Sequence, residues 1–251
     1  MTARSGGAAN WVRVFHPGGP SAPRLVCLPD AGEAANAFFP LSGALAPEVE
    51  VLAMQYPGRQ DRAAEPCARD IAELADQVTH ALSPWDADPV AVYGHGMGAL
   101  VGFEVARRLE QVLTGSPAAL IVSGCRAPSR PREVGLHLLS DHDLVVELSS
   151  AGEATAPQDE VLLKAALPVI RADFRAFAAY RPEPSPPLRC PVTVLVGDSD
   201  PTVSIDEARA WHEHTTGAFD FQVFPGGHSC LDAQREELAE AVAAVIEGNR
   251  W

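Results

Sequence analysis

The 251-residue chain has no run of eighteen uninterrupted apolar residues, which excludes a membrane-spanning helix on sequence grounds. Met1 to Asn10 lack a charged stretch followed by an apolar core, so no secretion signal is expected. Basic residues are scarce: 19 Lys and Arg stand against 33 Asp and Glu, a formal net charge of −14. That balance disfavours nucleic acid and anionic membrane surfaces as partners, although a local basic patch stays compatible with it. Cys27, Cys67, Cys125, Cys190 and Cys230 contain no Cys-x-x-Cys pair and no zinc-like cluster. An odd number of cysteines in a chain able to bury its own core points to a reduced, cytoplasmic protein. His212 and His214 are two apart on an expected helix and diverge, a poor metal pair. No metal or cofactor site is read from the sequence, and no repeat or low-complexity tract is present.

What is there is alternation. Apolar residues make up 47% of the chain. Short apolar runs at Arg24–Leu28, Val49–Met54, Val90–Tyr93, Ala119–Gly124, Val192–Val196 and Phe219–Phe224 read as strands. Between them, residues with apolar spacing of three to four predict helices over 37–45, 71–82, 99–111 and 205–214, with a terminal helix over 231–246. This order implies an α/β fold with a mostly parallel, helix-covered sheet. The alternation stops over 128–182, where helical pieces around 144–149 and 160–179 flank a linker-like stretch at 152–158. A proline-rich hinge at 181–187 leads back to strand pattern. We therefore expect a core over 13–127 and 183–247, with an inserted helical lid over 128–182.

Four loops should meet beyond the carboxyl ends of such strands: Asp30-Ala31-Gly32, Gly94-His95-Gly96-Met97-Gly98, Gly197-Asp198-Ser199-Asp200-Pro201 and Gly226-Gly227-His228-Ser229. The second has the layout of a nucleophile elbow, the sharp strand-to-helix turn that presents a catalytic serine in α/β-hydrolases. Its middle residue is Gly96. An acid after one late strand and a histidine after the next complete the chain order nucleophile, acid, base, in which the acid fixes the histidine tautomer. Asp200 is preferred over Asp198 because it stands further out in its loop, directly before Pro201. Each feature alone has a plainer reading: the glycines as a tight or phosphate-binding turn, the acids as helix caps, His228 as a structural residue. The dinucleotide version needs an acid at the end of the next strand, and 116–125 offers none.

Together these motifs resemble the type II (editing) thioesterases of polyketide and nonribosomal peptide biosynthesis, members of the α/β-hydrolase superfamily. The resemblance runs from Arg13 to Ile246. It rests on Leu28-Pro29-Asp30-Ala31-Gly32, Phe38-Phe39-Pro40-Leu41, Gln55-Tyr56-Pro57-Gly58-Arg59, the Gly94–Ala99 elbow, Ser123–Pro128, Gly197–Pro201 and Phe224–His228. It implies hydrolysis of acyl thioesters on the phosphopantetheine arm of acyl or peptidyl carrier proteins, by a monomer without cofactor or metal. Asp200 and His228 would be acid and base, backbone N–H groups of Met97 and Ala31 the oxyanion donors, and His95 a usual neighbour of the elbow. Carrier proteins are commonly acidic, so Arg59, Arg62, Arg126, Arg130 and Arg132 are candidates for a basic group at the entrance.

The departures concern chemistry. Gly96 stands where the family has its serine, Asp30 where His or Tyr is usual, and Glu33 where a second glycine is usual. Glycine removes the covalent route, and it tolerates elbow backbone geometry well. Three readings stay open: a laboratory Ser-to-Gly change, a diverged hydrolase in which water fills the vacated space beside His228, and a protein that binds acyl-carrier intermediates or uses His228–Asp200 for another reaction. Asp30 and Glu33 favour divergence, since both bring carboxylates towards the oxyanion site. Cys125 and Cys230 are poor substitute nucleophiles.

Overall fold

The computed structural model describes residues 10–85, 90–112, 117–132, 135–150, 160–229 and 234–249. The linker-like stretch at 152–158, Cys230 and the first residues of the expected terminal helix fall outside them. Seven strands form one sheet: β1 (Val12–Arg13), β2 (Arg24–Leu28), β3 (Glu50–Met54), β4 (Val90–His95), β5 (Ala119–Ser123), β6 (Val192–Gly197) and β7 (Phe219–Phe224), in the order β1-β3-β2-β4-β5-β6-β7. Every neighbouring pair is parallel except β1 with β3. β1 is a two-residue edge strand that apolar patterning cannot register, because two residues show no period.

The central strands are buried on both faces, as their near-continuous apolar runs require. On one face lie α2 (Ile71–Ala81) and α3 (Met97–Val112), packed with Val26, Leu28, Val92, Leu120 and Val194. On the other lie α1 (Phe39–Leu45) and α7 (Arg235–Gly248), packed with Leu25, Cys27, Ala53, Tyr93 and Ile121. Local signals set the helix starts. Asp70 accepts from the Glu73 N–H at 2.8 Å, and Ser204 and Glu207 form a capping box at α6 (Ile205–Arg209). The helix expected over 205–214 is α only to Arg209 and continues as a tighter 3₁₀ turn to His214. No helix of the described residues is long and apolar enough to cross a membrane.

Between β5 and β6 the chain forms α4 (Asp141–Ser150) and α5 (Glu160–Ala179). A buried ion pair ties α5 to the loops at the strand ends. Asp173 on α5 pairs with Arg59 and accepts the Gly32 N–H at 2.8 Å; both charged side chains are nearly inaccessible. Arg59 also donates to the Pro57 carbonyl at 2.7 Å. The pair thus fixes the loop that begins at Asp30. Removing one member of such a pair leaves a buried charge without its partner, at a cost of about 3 kcal/mol or more. Asp173→Asn should lower the unfolding free energy by about 3 kcal/mol in a urea titration, and adding Arg59→Met should recover part of that loss. A loss within about 0.5 kcal/mol, the usual range for surface changes, would show that the loop does not depend on this pair.

Candidate active site

The β4–α3 turn is built for close approach. Gly94 and Gly98 have no room for a Cβ: one added at Gly94 would overlap the Gly98 carbonyl, and one at Gly98 the Leu28 carbonyl. Gly96 lies between them at φ +50, the left-handed region an elbow needs. The volume a side chain would occupy at Gly96 is filled by the carboxylate of Asp30. Asp30 Oδ1 accepts the Met97 N–H at 2.6 Å, and Asp30 Oδ2 lies 3.5 Å from His228 Nε2. On the other side of the ring, His228 Nδ1 is 2.9 Å from Asp200 Oδ2 and 3.0 Å from the Thr202 hydroxyl. The Asp200 loop is held by its own turn, in which Oδ1 accepts the Thr202 N–H and hydroxyl, each at 2.7 Å. Asp198 instead accepts the Gly226 N–H at 2.9 Å and stabilises the loop before His228.

His95, at the end of β4, lies opposite Ser123 in the parallel register, with its Nδ1 2.8 Å from the Ser123 hydroxyl. That hydroxyl is also 2.9 Å from the Tyr93 hydroxyl. The rings of His95 and His228 are 5.0 Å apart, centre to centre. A cavity of about 530 Å³ opens from this centre, lined by Asp30, Gly96 and His228 at its base and by Phe174 and Phe177 of α5.

Charge is concentrated in the row Asp200–His228–Asp30. Burial alone would push the His228 pKa down, but its hydrogen bonds to the Asp200 and Asp30 carboxylates and their charges raise it to about 11. Burial likewise works against ionised Asp30 and Asp200. For Asp30 the His228 contact, the nearby His95 and the Met97 N–H outweigh it; for Asp200, His228 and Thr202 do, and both carboxyls are held below their ordinary value. The two carboxylates thus favour the imidazolium form of His228.

The thioesterase-domain family model matches residues 23–246. This chain belongs to the thioesterase family. It is 43% identical to the probable cadicidin biosynthesis thioesterase of Streptomyces griseus over 96% of this chain and 68% of that protein. It is 44% identical to thioesterase PikA5 of Streptomyces venezuelae over 93% of this chain and 84% of that protein. Among solved structures, the type II thioesterase BorB from the borrelidin biosynthetic cluster superposes with a TM-score of 0.89 at 46% identity, covering 98% of this chain and 100% of that one. The α/β-hydrolase-type sheet and helix layout is thus that of type II thioesterases.

Against this thioesterase frame, the structure brings Gly96, Met97, Ala31, Asp30, His95, Asp200 and His228 to one place and corrects four expectations. The space left by Gly96 is not open to water, because the Asp30 carboxylate stands in it. Glu33 is absent from the cavity lining; its carboxylate accepts the Asp30 N–H at 3.3 Å and turns within its own loop. Arg59 and Arg62 are buried structural residues: Arg62 pairs with Glu65 and donates to the Gln55 carbonyl at 2.6 Å. Arg130 pairs with Glu213; Arg126 and Arg132 line the cavity, Arg132 paired there with Glu207. Cys125 also lines it, yet burial drives its thiol far above the ordinary value, which removes the thiolate a nucleophile needs. Sequence reasoning missed Thr202 and Asp173; Thr202 follows Asp200-Pro201, where a turn hydroxyl is a usual partner for the Asp, but Asp173 had no local signal.

Because its neighbours raise the His228 pKa, the charge of His228 is linked to folding. Protonation of His228 favours the folded state fully below about pH 6.5, its unfolded value, and that contribution is lost as pH rises through about 11. The two acids contribute in the opposite sense, above about pH 4, losing their contribution as pH falls through their depressed values. NMR of the ring proton on His228 Cε1 should show an imidazolium throughout pH 5 to 9, and Asp30→Asn should bring its titration downward. A midpoint near 6.5 in the unaltered protein would contradict the arrangement.

Proposed function

We propose that this protein hydrolyses acyl thioesters carried on the phosphopantetheine arm of acyl or peptidyl carrier proteins in polyketide or nonribosomal peptide assembly. Water, not a serine, is the nucleophile. The observation that carries this reading is the Asp30 carboxylate, seated in the volume of a residue-96 side chain between the Met97 N–H and His228 Nε2. The family membership and the biosynthetic roles of similar proteins supply the substrate class. α4 and α5 form the lid over the acyl chamber, with Phe174 and Phe177 on its apolar wall. Arg126 supplies positive charge beside it for the acidic carrier and its phosphate, against a net charge of −14, while Arg132 is held by Glu207.

The steps follow from the charge row. Asp30 turns from the Met97 N–H towards a water and takes its proton, while the substrate carbonyl oxygen takes over the Met97 and Ala31 N–H groups. The water oxygen bonds to the carbonyl carbon. As the C–S bond breaks, the His228 imidazolium gives its proton to the departing thiolate, and Asp30 then returns a proton to His228. Asp200 keeps the ring oriented throughout. Two features make this slow: an acid held below its ordinary pKa is a weak base, and no covalent intermediate shares the barrier.

Purified protein should release acid and thiol from an acyl-pantetheine, and His228→Ala should lower the rate by roughly a hundredfold. Gly96→Ser alone should not raise turnover, because the new side chain collides with Asp30; Gly96→Ser with Asp30→Ala should raise it. Turnover at background and indifferent to His228→Ala would refute hydrolysis and leave a carrier-binding protein.

A further inference from the structure

Asp30, His95 and His228 come from three distant parts of the chain, yet each offers one ligand atom, and these atoms all lie within 4.8 Å of one another. We propose that these three side chains bind one divalent cation of the zinc class, leaving a coordination position open to the acyl cavity. Two imidazoles and one carboxylate form a donor set suited to zinc and its transition-metal neighbours rather than to calcium or magnesium, which require oxygen shells.

The second layer is what distinguishes this cluster from a chance grouping. Metal-binding imidazoles commonly hold their other nitrogen in a hydrogen bond that fixes the ring. His228 has Nδ1 on Asp200 at 2.9 Å, and His95 has Nδ1 on the Ser123 hydroxyl at 2.8 Å. Nε2 is then the ligating nitrogen of each. Asp30 follows the same pattern: Oδ1 accepts the Met97 N–H at 2.6 Å, and Oδ2 faces His228 Nε2 at 3.5 Å. Each of the three ligands thus has an outer partner already in place.

The spacing is close to what a cation needs. Ligands about 2.1 Å from a tetrahedral zinc are about 3.4 Å apart, which the Asp30–His228 separation of 3.5 Å nearly matches. Closing the widest separation within the cluster takes a movement on the order of 1 Å, set against the same tetrahedral spacing. Charge fits as well, since the cation takes the place of the proton between His228 and Asp30 and faces two acids, Asp30 and Asp200. Asp30 and His228 line the 530 Å³ cavity beside Gly96, so the remaining position faces substrate. Three protein ligands with an open fourth position are the arrangement of catalytic rather than structural zinc.

The site itself stands on geometry alone; its use rests on the thioester hydrolysis proposed above, with the cation replacing Asp30 as activator of the water and solvent replacing His228 as proton donor. A bound water gives one proton to solvent, and its oxygen bonds to the thioester carbonyl carbon. The C–S bond breaks and the thiolate takes a proton from solvent. The cation supplies both the activated water and the stabilised oxyanion that the weak base Asp30 supplies poorly.

The test is calorimetric titration of the full chain, first freed of metal by a chelator, with zinc chloride and separately with magnesium chloride. One zinc per chain and no saturable magnesium binding are expected. Asp30→Asn, His95→Gln and His228→Gln should each weaken zinc binding by roughly a hundredfold or more, and Asp200→Asn by about ten- to a hundredfold. His212→Ala, on the exposed turn after α6, should leave it unchanged. Circular dichroism reports whether each variant folds. Independently of any variant, the cobalt(II)-loaded protein should give the intense visible bands of a four- or five-coordinate site without a thiolate band. No one-to-one zinc binding, binding that survives the three ligand substitutions in folded protein, or a weak six-coordinate cobalt spectrum would each overturn the proposal. Zinc binding without thioester hydrolysis would refute the proposed reaction and leave the site standing. Hydrolysis in chelator, with no zinc bound, would support the reaction and refute the cation's part in it, while the titration alone decides the site.

Discussion

The contact on which the site depends is the one between the Asp30 carboxylate and the elbow. A side chain at residue 96 would exclude it; glycine at that position lets the carboxylate reach the Met97 N–H and approach His228. From that placement the electrostatics follow. With Asp200 on one nitrogen and Asp30 facing the other, the protonated form of His228 is favoured. Gly96 and Asp30 therefore depend on each other: a side chain at residue 96 would clash with the carboxylate, and without the carboxylate that volume would be empty.

The rest of the fold holds that contact in place from several sides. The parallel register sets His95 beside Ser123 and brings the Asp30 loop next to the elbow, since Leu28 on β2 pairs with Gly94 on β4. Asp173 on α5 reaches the Gly32 N–H and Arg59, so this helix buttresses the loop as well as lining the cavity with Phe174 and Phe177. Such buried ion pairs add little net stability over apolar packing, but they fix one geometry when both partners are present. The packing on both sheet faces supplies the stability, and the polar ties supply the position.

Much of the architecture was legible in the chain. Apolar runs with turn signals marked six of the seven strands, and three-to-four spacing marked the helices. The glycines of the elbow announced a tight strand-to-helix turn, and the order of elbow, acid loop and histidine loop marked the site. The choice of Asp200 over Asp198 also had a local basis, its place before Pro201, and the structure puts Asp200 on His228 while Asp198 caps a loop. Thr202, Asp173 and the inward turn of Glu33 were not legible, because each depends on which distant group the folded chain sets opposite it.

The sequence by itself determined the alternating fold, the glycine at the centre of the elbow and the carboxylates of the first loop. Those follow from periodicity and composition, which are properties of neighbouring residues. Only the tertiary structure decided that Asp30 fills the vacated space, that Glu33 does not, and that His95, His228 and Asp30 converge from positions 30, 95 and 228. No spacing rule links residues so far apart. Their proximity is produced by parallel strand register and by the ion pair beneath the loop, and it is there that the chemistry of this site is set.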